Sequence, residues 1–460
     1  MLWGIVAGVF LLIFLCLGRR LLCSKIKSGT VFSTGKHGNT KEEEDEEDDD
    51  FGLLQYSEKV QGGSPLICKS SALATYLLDT CPAFSETTGS GWSQIIWAHL
   101  HTILNLFFPV ETEIEIARDH LQLLDQGIVS LDWVVGPHPP SKSRRATNIF
   151  PSPPILLIIP NSFGRITRNV QQLCSLAMEQ GYYPVIFNRR GHNRCPLTTL
   201  KLQEFGDPSD LQAAISYIRF RHPSSKIFAV SESSGSGLLL SYMGEWGSST
   251  YVTGAVCISP IFRCQEWFES RMLWFYRWTI LLYQKFCHSR YATVLGDIIY
   301  TERLFHSSSL WEFEELLFCH TKRKAVSWQS YWERNEPLRD VDEVAVPVLC
   351  ICSKDDPIRG NVDSTLPLEL FKTNPYLFLW LTKHGGHCGF ISQDSTIWSH
   401  RATLQFFKSV TEFFRMEERR LSGPRRSSVL LYRQRRGTLQ KRERAYSSIN
   451  IFNWQRSYTR

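Results

Sequence analysis

Between residues 155 and 381 the chain repeats one unit: a short apolar run, a break, then a segment with helical spacing. The runs are Ile155 to Ile159, Pro184 to Asn188, Ile227 to Val230, Val252 to Ile258, Val346 to Cys352 and Tyr376 to Leu381. A strand that is apolar on consecutive residues is buried on both faces, the pattern of a parallel strand covered by helices. Helical spacing over 168–180, a helix opened by Asp207-Pro208-Ser209-Asp210 and running through Phe220, and another over 236–245 supply that cover. The fold class is therefore α/β, a mostly parallel sheet wrapped on both faces. Residues 261–340 interrupt the repeat with helical sequence rich in aromatics, including Trp267, Phe268, Trp274, Trp278, Trp328 and Trp332. An insertion there would lie over the carboxyl edge of the sheet, as a cap. Its aromatics read as the core of an extra helical layer or as a lipid-contacting surface, and the two are compatible.

The run Ile227 to Val230 continues into Ser231-Glu232-Ser233-Ser234-Gly235-Ser236 and then into a helix. A serine on a sharp strand-to-helix corner, with small residues two before and two after it, is a nucleophile elbow. Ser233 fits best, because Gly235 stands at the second position after it. Ser231 stands where that device takes glycine, and it adds a Cβ where strand and helix crowd. Serine is a poor nucleophile at neutral pH and needs an imidazole base, which in turn needs an acid to fix its tautomer. Asp356 follows the run ending at Cys352 and is preferred to Asp355, because the acid stands on the loop just beyond the strand. His387 follows the last run and is preferred to His384, because it lies further beyond that strand. Backbone amides of Ser234, and of Ser162 in the loop Asn161-Ser162-Phe163-Gly164, are the candidate oxyanion hole. No spacing for a zinc site or a cofactor is present.

Several stretches carry a resemblance to a known family. They are His99-Leu100-x-Thr102, Leu121-x-Leu123-x-Asp125-x-Gly127 with Leu131-Asp132-Trp133, Phe187-Asn188-x-Arg190-Gly191, Asp210-Leu211, the elbow, Asp355-Asp356-Pro357 and His384-Gly385-Gly386-His387-x-Gly389. In order and spacing they are similar to the membrane-anchored α/β-hydrolases of the YheT/Eht-like esterase group, over about residues 90–416. The resemblance implies an α/β-hydrolase fold, an N-terminal anchor and lipid or acyl-ester substrates, and it supports Ser233, Asp356 and His387. The family's Gly-x-Ser-x-Gly-Gly stands here with Ser231 and Ser236 in two glycine positions. Two functions follow: a serine esterase or lipase, or a catalytically weak hydrolase fold that regulates lipid metabolism through protein partners.

The ends differ from this body. Residues 2–17 carry no charge and are followed by Arg19, Arg20, Lys25 and Lys27. They read as a single-pass anchor in residues 1–24, in the endoplasmic reticulum, with the basic side and hence the body in the cytosol by charge. A secretory signal peptide is the alternative. Residues 25–88 include nine consecutive acids at 42–50 and read as a largely disordered linker, and residues 89–416 as the hydrolase domain. Residues 417–460 read as a disordered basic tail whose Arg425-Arg426-Ser427-Ser428 suits a basophilic kinase, a regulatory partner or anionic lipid. Nucleic acid is the poorer reading for that charge, since no recognition motif accompanies it. Thirteen cysteines without paired spacing read as buried thiols of a reducing compartment.

Overall fold

The structure, a computed structural model, describes residues 66–81, 98, 99, 102, 114–136, 152–161, 164, 166–323, 325–391 and 397–421, and residues 453–458 as backbone. Side chains of 270, 271 and 421 are not among those described. The described residues all fall in one compact unit, Gly62–Arg460. Residues 2–17 lie outside the described residues, and no described helix is long and apolar enough to cross a membrane.

The apolar runs form the middle of a ten-stranded sheet. In chain order the strands are β1 Leu66–Ile67, β2 Glu115–Gln122, β3 Ile128–Val135, β4 Ile155–Ile159, β5 Tyr183–Asn188, β6 Ile227–Glu232, β7 Val252–Ile258, β8 Val348–Ser353, β9 Leu377–Thr382 and β10 Asn453–Tyr458. Their spatial order is β1-β9-β8-β7-β6-β4-β5-β3-β2-β10. The six from β9 to β5 are parallel, which is why they are apolar on consecutive residues. The hairpin β2–β3 joins antiparallel through β3 against β5. Its turn closes at Gln126, whose φ of 66° is left-handed, and at Gly127, whose amide donates to Asp125 Oδ1 at 3.0 Å. Odd and even positions of the central strands feed two cores. Leu157, Ala229 and Cys257 pack under the helices Ser209–Arg221 and Gly235–Trp246, while Leu156, Phe228 and Val256 pack under Arg168–Glu179 and Trp398–Leu421.

Two segments assigned to disorder contain structure. Within the supposed linker 25–88, β1 pairs antiparallel with β9, and a helix Ala72–Thr80 follows. Ser71 caps that helix by accepting from the Ala74 amide at 3.1 Å, and Leu73, Ala74 and Leu77 are buried. Tyr76 meets Phe413 of the last helix at a ring distance of 5.5 Å. The domain therefore begins before residue 89. At the other end the last helix reaches Leu421, and Asn453–Tyr458 of the supposed tail is extended along β2. The free edge of β2 offers unpaired backbone groups, and a strand that takes them satisfies both. Residues 264–335 form the helical cap, with its own core around Phe205, Trp267, Phe268, Tyr331 and Trp332. The described cysteines are free.

Candidate active site

At the end of β6 the backbone reverses into the helix Gly235–Trp246, and Ser233 sits at the corner with φ of 51°. A left-handed serine costs on the order of 1–3 kcal/mol and persists only where its surroundings hold it. Here the Ser233 amide donates to the Ile258 carbonyl at 2.9 Å, and the Ser233 carbonyl accepts from the Ser236 amide at 3.0 Å. Gly235 is required by close approach: a Cβ there would stand 2.4 Å from the Pro160 carbonyl oxygen and 2.8 Å from that of Ile159. Ser231 resolves differently from the crowding its Cβ suggested. Its hydroxyl donates to that of Ser236 at 2.9 Å, and both residues are fully buried. The two serines that replace glycines are thus partners, so neither buries an unpaired hydroxyl, which would cost about 1–3 kcal/mol.

The loops after β8 and β9 bring Asp356 and His387 to Ser233. His387 Nε2 lies 2.7 Å from Ser233 Oγ, and His387 Nδ1 lies 2.8 Å from Asp356 Oδ2 and 3.0 Å from Oδ1. All three residues are buried. Asp356 Oδ1 also accepts from the amides of Ile358 and Arg359, each at 2.9 Å, and the Arg359 guanidinium stands 3.9 Å from Oδ2. Burial alone would raise the Asp356 pKa, but His387, the Arg359 guanidinium and the amide bond outweigh it and hold the carboxyl below the ordinary value. Arg359 is itself fixed by Thr365 at 2.8 Å and by the Ser353 carbonyl. The rejected alternatives pair with each other instead. Asp355 accepts from the Gly386 amide at 3.0 Å and faces His384 Nδ1 at 3.5 Å.

Several residues around the three were not singled out by role in the sequence. Thr102 Oγ1 accepts from the His387 amide at 3.0 Å and donates to the Ala98 carbonyl at 2.8 Å, which fixes the loop carrying the imidazole. That loop turns at Gly386, with φ of 58°, where a Cβ would stand 2.5 Å from the Ala98 carbonyl oxygen. His99 Nδ1 lies 2.8 Å from the Tyr276 hydroxyl of the cap. The His-Leu-x-Thr spacing was the only signal for this support, and it shows its purpose only once the chain has folded. Glu232, immediately before Ser233, is buried; burial pushes its pKa up to about 7, opposed by the Thr167 hydroxyl, which donates at 3.3 Å.

Of the oxyanion candidates, Ser234 lies at the start of the elbow helix with α-helical backbone angles, so its amide belongs to the positive end of the helix dipole. Ser162 lies outside the described residues. Its neighbours Asn161 and Gly164 close a turn, with the Gly164 amide donating to the Asn161 carbonyl at 3.0 Å.

The family model described as serine aminopeptidase, S33, matches residues 153–375. Protein ABHD15 of Homo sapiens is 56% identical over 407 residues, covering 88% of this chain and 86% of its own. Phospholipase ABHD3 of Mus musculus is 26% identical over 373 residues, covering 78% and 87%. Medium-chain fatty acid ethyl ester synthase/esterase 2 of Saccharomyces cerevisiae is 25% identical over 274 residues, covering 52% and 58%.

Proposed function

From a chain that belongs to the α/β-hydrolase family, in the branch of Protein ABHD15, we propose a membrane-associated serine hydrolase that cleaves acyl esters of lipids through Ser233, His387 and Asp356. The observation that carries the reading is the continuous chain of hydrogen bonds from Ser233 Oγ through both imidazole nitrogens to a carboxylate held in its charged form. Ser233 Oγ attacks the ester carbonyl carbon while His387 Nε2 takes its proton. Asp356 keeps the Nδ1 proton in place and stabilises the imidazolium. His387 then returns the proton to the leaving alkoxide as the carbon–oxygen bond breaks, giving an acyl-serine that water cleaves by the same steps in reverse roles. The backbone amides of Ser234 and Ser162 are the donors assigned to the oxyanion in this reading.

A lipid substrate and membrane association are supported by the apolar residues 2–17 and by the phospholipase and ester synthase/esterase names of two relatives. Labelling of the full chain with a fluorophosphonate probe tests the reaction. Covalent labelling is expected in the wild type and not in Ser233→Ala. A folded wild type that stays unlabelled would favour a regulatory protein built on a silent hydrolase fold.

A further inference from the structure

The cap helix Trp274–Ser289 carries apolar side chains on two of its faces. Its inner face buries Tyr276, Ile280 and Leu281 in the cap core. Its outer face carries Trp274, Trp278, Leu282 and Phe286 at four-residue spacing, exposed to 69%, 54%, 44% and 54%. Residues four apart on a helix are neighbours, so these side chains form one continuous ridge, which Leu273, 53% exposed, extends. An ordinary surface helix turns its polar side outward, and a contiguous exposed apolar ridge marks a surface that meets something.

Charge tells what. From residue 270 to residue 296 the sequence contains no Asp or Glu, whereas Arg277, Lys285 and Arg290 lie on or just beyond the helix. Arg290 places its guanidinium 5.2 Å from the centre of the Phe286 ring. Glu269, the last acid before this stretch, is engaged by the Trp328 indole at 2.9 Å. Trp, Phe and Leu on one face, with Arg277 and Arg290 beside them and no acid on the helix itself, are what a helix needs to lie in the headgroup layer of an anionic bilayer, although Lys285 is engaged by the Ser307 carbonyl and the packed helix Leu310–Glu314 brings Glu312. The position suits a site as well as a surface. Tyr276, on the inner side of this helix, bonds His99 at 2.8 Å; burial raises its phenol pKa, and the Asp356 charge raises it further.

We propose that the outer face of the helix Trp274–Ser289 is a docking surface for anionic lipid bilayers, distinct from residues 2–17 and opposite the face that carries Tyr276. The inference rests on the cap and its charge, and holds whether or not Ser233 reacts.

Residues 2–17 can hold the full chain to lipid by themselves, so the test must read the ridge locally. Full-length protein is mixed with vesicles of phosphatidylcholine and phosphatidylserine carrying bromine on the upper acyl carbons, and tryptophan quenching is measured. Quenching is expected in the wild type, and the part contributed by the ridge is expected to vanish in Trp274→Phe/Trp278→Phe, which keeps the apolar surface but removes the reporters. Arg277→Glu/Arg290→Glu is expected to raise the phosphatidylserine needed for that quenching by on the order of tenfold, with an unchanged melting temperature. Equal quenching in wild type and the double Phe variant would overturn the proposal. So would lipid-free self-association of the wild type that Trp278→Ser/Phe286→Ser abolishes, since a second copy would then cover the ridge.

Discussion

Arg190 follows β5 and grips two carboxylates; Ser233 follows β6, two strands away in the sheet, and is gripped through an imidazole by one. Both clusters are made of residues that carried the family resemblance. The Arg190 guanidinium meets Asp210 at 2.6 and 2.7 Å, and Asp125 at 2.5 and 3.1 Å, with the Arg190 side chain only 2% exposed. One guanidinium faces two carboxylates, so the charges do not cancel, but Nε, Nη1 and Nη2 of Arg190 all bond these partners, and the result is a brace that ties the β2–β3 turn and the helix Ser209–Arg221 to the end of β5. The cluster at Ser233 ends instead in a hydroxyl on a left-handed residue. Shared motif residues therefore divide by what terminates the network: ion pairs hold shape, and a relay that ends in a hydroxyl can do chemistry.

The largest effect that would sharpen this contrast is expected at the acid. Asp356→Asn should lower ester turnover and the rate of fluorophosphonate labelling by about 10⁴-fold, with a lower melting temperature at neutral pH, because it removes the charge that faces His387 and the buried Arg359 guanidinium. A small loss of rate would remove Asp356 from the relay. Arg190→Ala should spare the rate. It leaves Asp210 buried and unpaired, and denaturant unfolding should report a loss of about 3–5 kcal/mol, while the fraction still folded labels at an unchanged rate.

Glu232 and Asp356 sharpen the comparison within the site, because burial acts on both and only Asp356 has strong compensation. The Glu232 pKa is raised to about 7, with Thr167, Cys174 and Cys388 around it. Its folded pKa lies above its unfolded one, so the protonated form favours folding. That contribution is complete below the unfolded pKa of about 4.3 and is lost as pH rises through about 7, on the order of 3 kcal/mol in all. Melting curves between pH 5 and pH 8 should fall less steeply in Glu232→Gln than in the wild type. Asp356 has the opposite sign. Its lowered pKa adds stability that is present above about pH 4 and lost on acidification.

The smallest effect concerns the two serines of the elbow. Ser231→Gly removes the partner that the Ser236 hydroxyl now has at 2.9 Å, leaving it the Cys257 thiol, and should cost about 1 kcal/mol of stability. Adding Ser236→Gly should recover part of that loss in a double-mutant cycle. If Ser231→Gly alone raised turnover without loss of stability, the elbow would be strained at that residue rather than repaired by its neighbour.

Much of this was legible in sequence because it depends on local order. Six strands buried on both faces cannot be written without consecutive apolar residues, and an elbow cannot be written without small residues at its corner, so Ile155–Ile159 and Ser233 announce themselves. The preference for Asp356 over Asp355 and for His387 over His384 also followed, since loops after strands advance residue by residue. The ordered segments at the chain ends escaped this reading: Leu66–Ile67 and Asn453–Tyr458 are too short or too polar to declare themselves, and they exist as strands because β9 and β2 offer them an edge.

The sequence by itself determined the α/β layering, the chain order of Ser233, Asp356 and His387, and the two serines standing in glycine positions. Tertiary structure alone decided what those serines mean. Ser231 and Ser236 are five residues apart on different elements, and only the reversal of the chain at Ser233 brings their hydroxyls to 2.9 Å. It likewise decided that Thr102 supports His387, and that one face of the helix Trp274–Ser289 stays outside the core. A contact between distant residues depends on the whole fold closing, whereas periodicity and chain order are properties of the chain before it folds.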